Sequence, residues 1–210
     1  MKHLVLITSD ARPKDHGTGF VVRRAGQDGA LAAQVVTAAH VVLALGAEQL
    51  RVAGHRATLV VDLSDRGIDL AVLQVAGLEG VDVLVAGPGH DSDPIEVQGF
   101  APPTSRPVAT KARGVLVEQT VTAHRGINRP AWRIELDTAL VGGHSGGPVL
   151  SATTGRVVGV ITDGPRAGVP TTATTFIRTT SRRPSALMKF MARSPRALSG
   201  RPATSASRSR

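Results

Sequence analysis

The chain has no cysteine. Disulfides, thiolate metal sites and a cysteine nucleophile are excluded together, and the core alone must stabilise the fold. Aromatic residues are almost missing as well: four Phe, one Trp and no Tyr. Long apolar runs are absent too. The N-terminus offers only Leu4 to Ile7 before Thr8, Ser9 and Asp10, where a secretory signal needs roughly 7–15 apolar residues. Nothing elsewhere approaches the ~20 residues of a membrane span. The chain as written is therefore expected in the cytosol, without a membrane partner.

Acidic residues run out before the chain does. No Asp or Glu follows Asp163, whereas ten Arg or Lys lie beyond it, from Arg166 to Arg210. Residues 1–163 hold 15 basic and 16 acidic groups, so the formal charge of +9 belongs to the C-terminal tail. Clustered cations gain from counterion release on nucleic acid. From Arg193 onward these cations are spaced rather than run together, however, and no aromatic residue interleaves with them for base stacking. A solvated linker, or a boundary to a larger multidomain protein, is the favoured reading of the tail.

What is present in quantity is Val, Ala, Leu and Thr, punctuated by 23 Gly and 13 Pro, which reads as all-β. Thirteen short runs suit strands: 4–8, 19–24, 34–37, 50–53, 58–62, 69–76, 81–86, 95–100, 115–122, 132–137, 148–151, 157–162 and 174–178. So many strands without an amphipathic helix before residue 180 argue for two β-barrels or a sandwich. The stretch from Gly99 to Pro107 is the best linker, giving an N-terminal unit of 1–100 and a C-terminal unit of 101–192. Ala38 to Val42 suits a helical turn, Ser185 to Ala192 a short helix, and 193–210 a disordered tail.

Three segments carry chemistry. In Gly142-Gly143-His144-Ser145-Gly146-Gly147-Pro148, glycines on both sides of a serine permit the tight, exposed turn a nucleophile needs. There the backbone N–H groups of Gly143 and Ser145 can face a developing oxyanion. In Val35-Val36-Thr37-Ala38-Ala39-His40, an apolar strand ends in small residues and a histidine that it can hold rigidly. Taken alone, such a histidine is more often a satisfied core residue. In Ile68-Asp69-Leu70-Ala71-Val72, an acid opens an apolar run, costly to bury unless a polar group receives it. The Nδ1–H of a histidine would do so and would fix the tautomer a base requires. Asp62 and Asp65 are nearby rivals that flank a turn.

Taken together, Gly17-Thr18-Gly19-Phe20, Thr37-Ala38-Ala39-His40, Asp69-Leu70-Ala71-Val72 and Gly143-His144-Ser145-Gly146-Gly147-Pro148 resemble the chymotrypsin-fold serine peptidases, in the expected order across roughly residues 15 to 180. Ile134-Glu135-Leu136-Asp137-Thr138-Ala139 and Val157-Val158-Gly159-Val160-Ile161 are closer to the bacterial high-temperature-requirement (Do-like) proteases. The resemblance implies two perpendicular Greek-key barrels with a catalytic triad in the cleft between them. Ser145 would be the nucleophile, His40 the general base and Asp69 its orienter, with no metal or cofactor. It also implies that Ala139, Thr162, Asp163, Gly164 and Thr174 contact the protein or peptide substrate. Thr162 falls where the family often places a serine touching the triad acid.

Departures from the family are informative. His144 precedes the nucleophile where secreted trypsins have Asp and Do-like proteases usually Asn. The activating Ile-Val-Gly-Gly start is missing, so cleavage of a zymogen is not the expected trigger, and His144 instead offers the turn a group that titrates near neutrality. No PDZ module follows, which leaves substrate choice to the cleft, the tail or a regulatory partner. Two other readings stand beside the peptidase: a peptide-binding module that does not cut, and a nucleic-acid-binding protein acting through the tail.

Overall fold

In the computed structural model, which describes residues 1–27, 30–101, 107–163 and 172–175, alternation along the strands decides which way each side chain faces. The first six strands are β1 (Leu4–Ser9), β2 (Gly17–Gln27), β3 (Ala30–Thr37), β4 (Leu50–Val52), β5 (His55–Asp62) and β6 (Ala71–Ala76). They close into a barrel in the order β1-β2-β3-β6-β5-β4, β4 pairing back onto β1. The second set is β7 (Pro94–Ala101), β8 (Val108–His124), β9 (Ile127–Leu136), β10 (Pro148–Ser151), β11 (Val157–Asp163) and β12 (Thr172–Thr175). It closes as β7-β8-β9-β12-β11-β10, the same order shifted by six. Each barrel is thus a Greek key in which three consecutive strands are followed by a crossover, and closure removes the exposed strand edges.

Strand β3 shows how the barrels join. Val35 points into the first barrel, where it packs with Ile7, Leu50 and Leu73. Its neighbour Val36 faces the opposite way and is equally buried, in a cluster with Phe20 and Val72 of the first barrel and Leu150, Val157 and Val160 of the second. The outer face of β3 is therefore apolar because the second barrel covers it, and the hydrophobic effect holds the two barrels together. A third cluster, including Ile95, Leu116, Trp132, Ile134 and Ile161, fills the second barrel.

Twelve of the thirteen expected strands form, 148–151 to the residue and the others with shifted ends, while residues 176–178 of the last lie outside the described residues. The exception is 81–86, which runs extended between the barrels. There Leu84 N–H donates to Val21 O (2.8 Å) and Val157 N–H donates to Val85 O (2.9 Å), while Ala86 makes one isolated bridge with Val157. Bonded to one barrel on each side, this segment joins neither ladder. The expected boundary at residue 100 also needs correction. β7 belongs to the second barrel, so the chain crosses between barrels over 77–93, and the Pro-rich stretch after Gly99 joins two strands of one barrel. The helical turn expected at 38–42 is present as α1 (Ala39–Leu45). The helix expected at 185–192 and the basic tail lie outside the described residues. Among the described residues no helix is long and apolar enough to cross a membrane.

Leu73 lies fully buried on β6 between β3 and β5. Leu73→Ala is expected to cost about 2–5 kcal/mol, read as a lower urea midpoint.

Candidate active site

α1 begins directly where β3 ends, and its first turn carries His40. The N-cap Ala38 supplies no side-chain acceptor, so an early helical N–H needs one from elsewhere. Asp69 provides it: its Oδ1 accepts the His40 backbone N–H at 2.8 Å while Oδ2 accepts the ring Nδ1–H at 2.6 Å. One carboxylate thereby fixes both the backbone and the ring of the same residue. Because an ionised carboxylate only accepts, Nδ1 must carry the proton, which leaves Nε2 free as a base. The His40 side chain is 38% exposed and that of Asp69 10%. Burial pushes the Asp69 carboxyl up, but the hydrogen bonds and charge of His40, joined by the charge of His124, outweigh it and hold the group below the usual carboxylate range.

Ser145 is half-buried on the turn between β9 and β10. The turn is moored on both sides. Thr18 N–H donates to Ser145 O (3.0 Å), Gly146 N–H to Ile161 O (2.8 Å) and Gly147 N–H to His144 O (2.8 Å). The last bond points the 144–145 carbonyl toward Gly147. The Ser145 N–H, on the other side of that planar peptide, faces away from Gly147. Thr18 Oγ1 donates to Gly143 O at 2.6 Å and accepts the Phe100 N–H at 2.9 Å. Gly146, at φ +85°, has no room for a Cβ: one would strike Thr18 O and Thr37 Oγ1 and lie 2.9 Å from Ala38 N. The serine turn therefore sits against the end of β3 and against Ala38, two residues before His40. Among the described residues Ser145 Oγ makes no hydrogen bond, so this serine is placed by its backbone rather than by a bond to His40.

His144 is buried, with its ring caught at both nitrogens. Nδ1 donates to Val141 O (3.0 Å), and Nε2, then an acceptor, takes the hydroxyl hydrogen of Thr110 (2.9 Å). Burial pushes its pKa down, the Val141 carbonyl opposes that, and the charge of His16 lowers it further.

The other expected contact residues are scattered. Ala139 is exposed just ahead of the serine turn, Thr162 is buried on β11, and Asp163 closes β11 opposite Thr172. Thr174 pairs through its backbone with Val160 and Ala131, and Gly164 lies outside the described residues. Thr18 was legible only as part of Gly17-Thr18-Gly19-Phe20. No local pattern marked His16, whose Nε2 is occluded and without a hydrogen-bond partner where it meets the Gly143 backbone. Among the described residues no group of three or more His, Cys, Asp or Glu is placed to hold a metal ion.

The sequence pattern of the trypsin-like peptidase domain matches residues 17–160, which holds His40, Asp69 and Ser145. The chain belongs to the trypsin-like peptidases. Its fold is similar to that of the Rv3671c protease from M. tuberculosis H37Rv. The inactive form of that protease is 27% identical with a TM-score of 0.62, covering 83% of each chain. Its active form is 25% identical with a TM-score of 0.61, covering 83% of this chain and 75% of the other. An inactive serine-to-alanine mutant matches at 25% identity and a TM-score of 0.62, covering 83% of this chain and 81% of that one. No curated protein matches the sequence. These similarities reach the trypsin-like peptidases and do not select the Do-like branch among them. As a peptidase, the protein acts on protein or peptide substrates.

A histidine whose folded pKa is depressed stays neutral in the folded protein while the unfolded chain takes up a proton. The stability His144 contributes is thus complete above its unfolded value of ~6.5 and is lost as pH falls toward the folded value. Thermal melts across pH 7.5 to 5 should show the wild type losing more stability than His144→Gln. Parallel curves would remove this role.

Proposed function

We propose that the protein is a serine endopeptidase in which Ser145, His40 and Asp69 form the catalytic triad. The observation that carries this reading is the two-pronged bond from His40 to the buried Asp69 carboxylate, beside a serine turn moored to β2 and β11 and packed against the end of β3. His40 Nε2 takes the proton of Ser145 Oγ as the oxygen attacks a peptide carbonyl. The Gly143 and Ser145 N–H groups receive the oxyanion, His40 returns the proton to the leaving amine, and water repeats the steps on the acyl-enzyme. Asp69, held ionised by its hydrogen bonds, stabilises the imidazolium in between. The reaction balances without a cofactor.

The turn is half secured for this task. Its 144–145 peptide is pinned by Gly147, whereas among the described residues the Gly142 carbonyl, which governs the Gly143 N–H, accepts no hydrogen bond. This favours one second reading: a latent enzyme whose oxyanion hole is completed by substrate or a regulatory partner. The Rv3671c protease has been described in both an active and an inactive form, which fits such behaviour.

A fluorophosphonate probe is expected to label Ser145, located by mass spectrometry, and to leave Ser145→Ala and His40→Ala unlabelled. Labelling elsewhere would overturn the triad. For specificity, the neutral side chains of Ala139 and Thr174 supply no partner for a cation, and we propose a small or medium apolar residue before the cut. A peptide library cleaved equally well after Arg would refute that preference.

A further inference from the structure

Thr18, the second residue of β2, is wholly enclosed. A hydroxyl shut away from water needs partners, and this one finds both of them in the second barrel. Its Oγ1 donates to the Gly143 carbonyl at 2.6 Å and accepts the Phe100 N–H at 2.9 Å. The incoming N–H occupies an oxygen lone pair and leaves the single hydroxyl hydrogen to Gly143. Phe100 lies on β7 beyond residues 95–97, where β10 pairs with that strand, so its N–H meets a side chain where the ladder has ended.

Gly143 has little else to hold it. Among the described residues the bond from Thr18 is the only hydrogen bond that Gly143 makes. Its φ of +92° and the lack of space for a Cβ, which would strike His16 Nε2 and Phe100 O, restrict the position to glycine. Glycine is also the residue with the most backbone freedom to lose. Gly142, exposed and with open space around it, gives no support from the other side. By gripping the Gly143 carbonyl, Thr18 fixes the plane of the 143–144 peptide, and with it the Cα next to the Gly143 N–H.

We propose that Thr18 is a positioning residue of the active site: its hydroxyl holds Gly143 so that the Gly143 N–H stands with that of Ser145 where the oxyanion develops. This rests on the triad reading. Being enclosed, the hydroxyl touches no substrate and acts only through Gly143 and Phe100. Donors already in place stabilise the developing charge without rearranging as the reaction proceeds, and a glycine released from its one bond loses that advantage. Valine has the shape of threonine without the hydroxyl. Thr18→Val keeps the backbone N–H that donates to Ser145 O and the carbonyl that accepts from Thr37. The substitution therefore frees Gly143 while Ser145 stays moored, and Thr18→Ser keeps the hydroxyl.

The test follows fluorophosphonate labelling of the whole protein over a range of probe concentrations, which separates the maximal rate from the half-saturating concentration. Thr18→Val should lose roughly 10- to 100-fold in maximal rate, short of the roughly 100- to 1,000-fold cost of deleting an oxyanion donor outright. The half-saturating concentration should not change, and Thr18→Ser should retain most of the wild-type rate. A second readout needs no variant to fold: the enclosed Thr18 hydroxyl proton should give a resolved NMR resonance in the wild type that shifts once Ser145 is labelled. Wild-type labelling kinetics in Thr18→Val, a loss confined to the half-saturating concentration, an equal loss in Thr18→Ser or a hydroxyl resonance unmoved by labelling would each overturn the proposal. In all four cases a labelled wild type leaves the triad standing. A wild type that the probe does not label strikes the triad and this proposal with it.

Discussion

A single carboxylate that accepts two hydrogen bonds from one residue organises the centre of this molecule. Asp69 is nearly enclosed, and an enclosed charge is tolerable only where hydrogen bonds replace the lost water. His40 provides both, from its backbone and from its ring. The bond that satisfies the acid also completes the start of α1 and sets the tautomer of the histidine. Folding energetics and the chemistry proposed for the site thus depend on the same two contacts.

The seam between the barrels comes next in importance. Strands β3 and β6 line the first barrel with one face, and at Val36 and Val72 the other face is apolar too, where it meets Leu150, Val157 and Val160 of the second. That shared cluster brings the serine turn to the end of β3, where Thr18, Thr37 and Ala38 leave room only for glycine at 146. On another side of the cleft, the β8–β9 hairpin reaches back and grips the loop preceding Asp69. Elements of the second barrel therefore approach both the strand that presents the base and the loop that presents the acid.

Much of the candidate site was legible because a nucleophilic serine, a base and an orienting acid would each need particular neighbours. Glycines around Ser145, small residues before His40 and an apolar run behind Asp69 are local requirements, so they leave local traces. The segment 81–86 misled because its alternating valines have the composition of a strand, yet an extended chain bonded to two different barrels has no ladder to join. The boundary after Gly99 misled because prolines serve a loop within a barrel as well as a linker between barrels. His16, His124 and Thr110 left no trace, since their surroundings come from residues far away along the chain.

The sequence by itself determined the all-β character, the family likeness and the order His40, Asp69, Ser145, since each depends on residue type, short-range spacing and backbone preference. Tertiary structure alone decided which strands pair, where one barrel ends, how His40 meets Asp69, what clasps His144 and what rests on the Asp69 loop. The His40–Asp69, Thr110–His144 and Arg125–Asp65 contacts join residues 29, 34 and 60 positions apart. Packing of the two barrels brings such residues together, and no pattern within a few neighbouring residues encodes the meeting.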